Sequence, residues 1–147
     1  MRYVHELNVN VFCKEWEDEK KILEKLFALF PFEIKKQFKH ETALGFFDKP
    51  IRIFQVILIK NNEINLFLND LFGKLSKEQK ELLISQIESR LDNGLNFFIR
   101  FDKDKLLKED ILGITDEGNC YHLKMSIAAF PKKREVAKKI ILQRLER

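Results

Sequence analysis

Four acidic side chains stand close together near the end of one predicted strand, Asp102, Asp104, Glu109 and Asp110. Paired carboxylates of this kind could hold Mg²⁺ for phosphodiester cleavage. The plainer reading of the same run is a solvated loop or the cap of a short helix, because Asp is a preferred N-cap residue. Zinc has no legible site: His5, His40 and His122 fall on different predicted strands, and Cys13 and Cys120 are too far apart in the chain to complete a ligand set. A phosphate-cradling glycine loop, a nucleophile elbow and a dinucleotide fingerprint are all missing. The sequence therefore predicts a protein that is not an enzyme and carries no metal or cofactor.

The chemistry that remains is recognition of an anionic polymer. Residues 95–105, LNFFIRFDKDK, alternate as a strand does: Leu95, Phe97, Ile99 and Phe101 fall on one side, Asn96, Phe98, Arg100 and Asp102 on the other. The first row is core. The second carries an aromatic and an arginine before the chain runs into Lys103 and Lys105, a layout suited to a sheet face that meets an anionic polymer. Phe98 is the candidate for base stacking, against the alternative of a phenylalanine covered by a helix. Trp16, just ahead of a predicted helix, is expected to pack against it.

A second cluster of cations opens the last helix. Residues 131–147 hold seven Lys or Arg against two Glu, so the whole positive excess of a chain whose net charge is +4 lies there. Lys132, Lys133 and Arg134 crowd the positive end of the helix dipole, where each cation is unfavourable by roughly 0.3 to 1 kcal/mol. Backbone N–H groups and cations together make a place for phosphate; the alternative is three well-solvated cations with no ligand. Lys124, on the outer row of the preceding strand, and Lys35 and Lys39 are assigned to the same role.

These residues must be positioned by a framework. The N-terminus predicts a strand in which Tyr3, His5, Leu7, Val9 and Val11 face inward. Glu15, Glu17, Asp18 and Glu19 then open a helix with an apolar stripe at Ile22, Leu23, Leu26, Phe27 and Phe30. A second strand is expected over residues 32–40, with Glu33, Lys35, Gln37 and Lys39 outward, followed by a connection over 44–50 that holds Gly45 and the turn residues Asp48, Lys49 and Pro50. Residues 51–60, IRIFQVILIK, form the most apolar run and predict a central strand covered on both faces.

Two helices come next. The first, over about 63–75, buries Ile64, Phe67, Leu68, Leu71 and Phe72. The second opens on the capping-box pair Ser76 and Gln79 and buries Leu82, Leu83, Ile87 and Leu91. The turn Asp92, Asn93, Gly94 supplies the left-handed backbone that starts the 95–105 strand. A hairpin is expected after it, residues 111–115 and 120–130 around the turn 116–119, with Tyr121, Leu123, Met125, Ile127 and Ala129 inward and His122, Lys124 and Ser126 outward. A helix from Pro131 closes the chain. The order predicts α+β, a mixed or antiparallel sheet of about five to six strands with helices packed on one face.

At 147 residues the chain is expected to be a single domain, residues 1–147, with a core large enough to need no staples. Hydrophobic content of 45% argues against disorder, and no apolar run is long enough for a membrane span. The start MRYVHELNVNV lacks the unbroken apolar region of a signal peptide. With only two cysteines, both inside predicted strands, a reducing, cytoplasmic location is expected.

Several of these stretches resemble a known family. FIRFDK (residues 98–103), AAFPKKREVA (128–137), VHELNVNVF (4–12) and the connection around Gly45 are similar to the archaeal RNA-binding proteins also described as predicted exosome subunits. The resemblance runs over essentially the whole chain in the same order. Two departures stand out. The family's first strand leads into a histidine-alanine-threonine-glutamate-aspartate box, where this chain reads CKEWEDE (13–19), and of the family's glycine-rich connection only Gly45 remains. The resemblance implies a fold like that of the ribosomal protein that carries five-S RNA, an RNA-linked role and no established catalytic activity.

The leading expectation is a non-catalytic RNA-binding protein, linked to RNA processing, degradation or ribosome-related complexes, that holds structured or ribosomal RNA with low specificity. Its contacts would be Arg100, Lys103, Lys105, Lys124, Lys132, Lys133 and Arg134, with Phe98 stacking and Lys35 and Lys39 secondary. One alternative is a protein-interaction subunit of an RNA-processing complex, in which the same charges steer docking. The other is a metal-dependent nuclease on the carboxylate run.

Overall fold

The chain folds, in a computed structural model that describes residues 2–45 and 49–147, as an α+β protein. Its elements are β1 (Val4–Lys14), α1 (Glu19–Ala28), β2 (Phe38–Leu44), β3 (Pro50–Leu58), α2 (Asn61–Lys74), α3 (Lys77–Ser85), α4 (Ile87–Arg90), β4 (Asn96–Asp102), α5 (Lys103–Glu109), β5 (Cys120–Ile127) and α6 (Arg134–Leu145). The strands form one open antiparallel sheet in the order β2-β3-β1-β5-β4. Packing density separates two compact units, one of Met1–Leu7, Leu58–Ile99 and Lys124–Arg147, the other of Asn8–Ile57 and Arg100–Leu123.

In the first unit the helical periodicity carries the core. Ile64, Phe67, Leu68, Leu71 and Phe72 of α2 are buried as their spacing predicts, and so are Leu83, Ile87 and Leu91, while Leu82 is exposed. Ser76 caps α3 reciprocally: its Oγ accepts from the Gln79 N–H at 3.1 Å and Gln79 Oε1 accepts from the Ser76 N–H at 3.0 Å. On α6 the buried positions are Ala137, Ile141 and Leu145, with Val136 and Ile140 half-buried. The turn before β4 differs from expectation. Leu95, not Asn93 or Gly94, takes the left-handed backbone (φ 64°), because the Asp92 carboxylate accepts from the Asn96 N–H at 2.8 Å and the Asp92 carbonyl from the Leu95 N–H at 3.2 Å, which folds the chain one residue later.

The second unit holds the larger corrections. Residues 32–37 form turns, not a strand; Gln37 and Phe38 N–H groups both donate to the Ile34 carbonyl, and β2 starts only at Phe38. From there β2 pairs antiparallel with β3 in the register Phe38 with Val56 through Leu44 with Pro50. Asp48, expected at the tip of that connection, lies outside the described residues. The apolar run 51–60 is next to an exposed edge strand, and β1 is the central one; on β3 only the Phe54, Val56, Leu58 row is buried. Apolar density along one strand carries no information about its place in the sheet. The expected hairpin arm 111–115 makes one isolated bridge, Ile114 with Phe101, instead of a strand.

Alternation in β1 is also broken near its start. Val4 is buried and His5 exposed, after which Leu7, Val9, Val11 and Cys13 form the inward row. His5 and Tyr3 are therefore not core residues. Trp16 stands 71% exposed with Lys14 Nζ 5.6 Å from its ring centroid, in place of the packing expected against α1.

Candidate nucleic-acid interface

The inward row of β4 reads Leu95, Phe97, Ile99, Phe101, and its next member at the same parity is Lys103. Parity wins over charge here. Lys103 is 2% exposed, and its ammonium donates to the Phe12 carbonyl at 2.7 Å and pairs with Glu17 at 3.2 Å. A cation so enclosed presents no charge to a phosphate, so its expected RNA contact gives way to a structural role: it ties the end of β1 to the start of α5.

The opposite row of the second unit is where chemistry is accessible. Asn10 and Phe12 of β1, Arg100 of β4, Cys120 and His122 of β5 and Gly118 of the preceding turn line one open groove of about 390 Å³. These are three neighbouring strands. Phe12 is 50% exposed. Arg100 Nη1 donates to the Asp116 carbonyl at 2.8 Å, which fixes the guanidinium against the 116–119 turn and leaves further N–H donors for a ligand. Burial pushes the Cys120 thiol up, against the opposing pull of the Arg100 and Lys103 cations, so the groove floor is neutral there.

The other expected residues of this unit lie apart from that groove's lining. Lys105 is exposed, its stem lying over Gly113. Lys39 pairs in register with Gln55 on the outer row of the sheet, and Lys35 is an exposed turn residue 3.4 Å from Glu33. An ion pair that exposed contributes little.

In the first unit, Phe98 and Lys124 occupy the outer rows of β4 and β5 and are half-buried. Arg134 does not point outward. Its guanidinium reaches the Leu91 carbonyl at 2.9 Å, the Glu88 carbonyl at 2.7 Å and the Glu88 carboxylate at 3.1 Å. Lys138 pairs with that same carboxylate. The dipole cost that made a triple cation at this helix start conspicuous is thus partly removed: Arg134 is bound elsewhere, and Glu135 adds an acidic group to the first turn. Lys132 and the N-cap Lys133 remain exposed, two and three residues beyond a Phe130 that is 96% exposed.

The carboxylate run is engaged piecemeal. Asp102 caps α5 by accepting from the Lys105 N–H at 2.9 Å, and Asp110 pairs with Lys25 at 2.8 Å. Asp104 accepts from Asn119 Nδ2 at 3.5 Å. Among the described residues no group of three or more His, Cys, Asp or Glu is placed to hold a metal ion.

Phe12, Asn10 and Phe130 carry no functional expectation from sequence, and His122 is there only an outer-row residue. The signal for Phe12 was present. Carrying the alternation of β1 past Val11 puts Cys13 inward and Phe12 outward, in the row of Asn8 and Asn10.

Comparison with known proteins extends this picture. Residues 6–127 match the model of a family described as RNA binding. An RNA-binding protein of Pyrococcus abyssi is 32% identical over 145 residues, which is 97% of this chain and 94% of that one. Two solved structures of DUF54 proteins are similar over 97% of this chain and 98% of theirs: one from Archaeglobus fulgidus (26% identity, TM-score 0.82) and one from Methanothermobacter thermautotrophicus (27% identity, TM-score 0.78).

Proposed function

This chain belongs to the RNA-binding family whose model it matches, and on that premise we propose that it is a single-domain, non-catalytic protein that binds RNA through its backbone phosphates. The observation that carries the reading is the segment around α6. Arg134 is held by Glu88 and two backbone carbonyls, so the residues ahead of it are anchored with Phe130, Lys132 and Lys133 turned to solvent. Two exposed lysines side by side on that backbone can meet a sugar-phosphate chain. Lys124 and Phe98 supplement them in the same unit. In the other unit, Arg100, Lys105, Lys35 and Lys39 serve; Lys103 there, and Arg134 in the first unit, act as supports rather than contacts.

Binding by phosphates alone is weakly selective and fades steeply with salt. The test is RNA affinity as a function of salt for the wild type and for Lys132→Ala combined with Lys133→Ala. A shallower salt dependence in the variant supports the assignment, and an unchanged one removes it.

A link to RNA processing, to exosome-type complexes or to the fold of the ribosomal protein that carries five-S RNA rests on the sequence resemblance. A cytoplasmic location is supported by two free, buried cysteines, and among the described residues no helix is long and apolar enough to cross a membrane. The metal-dependent nuclease reading loses support, because Asp102, Asp104 and Asp110 each already have a protein partner.

A further inference from the structure

We infer that the groove on the outer face of β1, β5 and β4 takes one unstacked nucleobase of a single-stranded RNA segment, with Phe12 as the stacking platform. This deepens the RNA-binding reading and depends on it. Phe12 is a large apolar ring on a row whose neighbouring members Asn8, Asn10 and Lys14 are polar, and it is half exposed. A ring in that setting gains most from a flat partner with polar edges. Nucleobases have that shape, and every base offers a π-face, so stacking needs no particular sequence.

The groove's other walls fit the same occupant. Asn10 brings an amide that can both donate and accept, and His122 lines the groove with a ring carrying two nitrogens. Arg100 has its plane set by the Asp116 carbonyl and keeps N–H donors for a base edge or the adjoining phosphate. The platform is itself braced: the backbone carbonyl of Phe12 receives the buried Lys103 ammonium at 2.7 Å, so the ring sits on a fixed piece of backbone. A duplex cannot use this site, since its bases are stacked inside and its readable groove is wide and shallow. An acidic peptide would find one accessible guanidinium and no further cation among the lining residues.

The experiment compares a fluorescein-labelled single-stranded oligouridylate with a blunt RNA duplex at low salt, by anisotropy, for the wild type, Phe12→Ala and Phe12→Trp. Phe12→Ala is expected to weaken the single strand roughly 5- to 150-fold, the span that loss of one base–aromatic stack covers, and to leave the duplex unchanged. Phe12→Trp, made with Trp16→Phe to remove background emission, is expected to retain affinity and to lose fluorescence on binding as a base covers the indole. Single-strand affinity unchanged in Phe12→Ala, or an indole that is not quenched, overturns the groove assignment and leaves RNA binding standing. Failure of the wild type to bind either RNA overturns both readings. Displacement of the single strand by hexaglutamate as readily as by unlabelled oligouridylate would assign the groove to an acidic protein partner instead.

Discussion

Lys103 gives its ammonium to the Phe12 carbonyl at 2.7 Å while pairing with Glu17 at 3.2 Å, from a side chain that is 2% exposed. A residue that reads as part of a basic surface cluster is therefore a buried strut between the start of α5, β1 and the approach to α1. Breaking one side of such a pair leaves the Glu17 carboxylate with the Lys14 N–H at 2.9 Å but without its counter-charge, a loss that costs about 3 to 5 kcal/mol. Lys103→Ala is expected to lower the urea midpoint accordingly. Lys103→Met with Glu17→Leu is expected to recover most of that loss, since a packed apolar pair of similar volume avoids the stranded charge. Equal destabilisation by the single and double variants would show that the ion pair is not what Lys103 supplies.

Lys132 and Lys133 should count as phosphate contacts. Each phosphate contact removed lowers the slope of log affinity against log salt by roughly 0.7 for a single strand. The double alanine variant is expected to lose about 1.4 from that slope with its thermal midpoint unchanged, because both side chains are exposed. Affinities measured at a series of salt concentrations check it.

Arg134 should behave in the opposite way. Its hydrogen bonds to the Glu88 and Leu91 carbonyls and to the Glu88 carboxylate are charge-assisted, and loss of contacts of this kind costs about 1.5 to 3 kcal/mol. Arg134→Ala is expected to destabilise the protein by that order. Arg134→Lys should rescue little, since a point charge cannot reproduce a guanidinium fork. Denaturant titration of the two variants against the Lys132 and Lys133 pair separates support from contact.

Tyr121 anchors the second unit from inside. Its hydroxyl donates to the Ile22 carbonyl at 2.8 Å, and burial first, then Cys13 and Glu17, lift the phenol well above its ordinary pKa. It stays a donor throughout the usable pH range. Tyr121→Phe leaves a buried α1 carbonyl without that donor and is expected to cost about 1 to 3 kcal/mol, read from chemical denaturation.

Acid should act on the turn before β4. Burial alone would raise the Asp92 carboxyl, but the Asn96 backbone and side-chain donors, the Gly94 N–H and the Lys124 cation outweigh it and hold its pKa below the ordinary 3.8. A folded value below the unfolded one means stability present above the unfolded pKa and lost as pH falls through the folded value. Urea midpoints followed on acidification are expected to drop for the wild type in that window. Asp92→Asn should start lower at neutral pH and lose the contribution of this group to the acid limb.

Much of the framework was legible in the sequence because it depends on local periodicity. The α2 stripe, the Ser76 and Gln79 cap and the inward rows of β4 and β5 follow from spacing and short-range hydrogen bonds. Each of these needs only neighbours a few residues away. The surface roles were less legible. Lys35, Lys39, Lys132 and Arg134 are equivalent letters until their partners are known.

What the sequence determined by itself was the α+β class and the core-facing positions of α2, β4 and β5, since burial of apolar side chains enforces periods of 2 and 3.6. It also carried the family membership. Tertiary structure alone decided that β1 rather than β3 is the central strand, that Lys103 meets Glu17 and Arg134 meets Glu88, and that Phe12, Arg100 and His122 share a groove. The physical reason is that strand order and ion pairing join residues far apart in the chain. Such pairings are chosen by the free energy of the assembled fold, which no local pattern records.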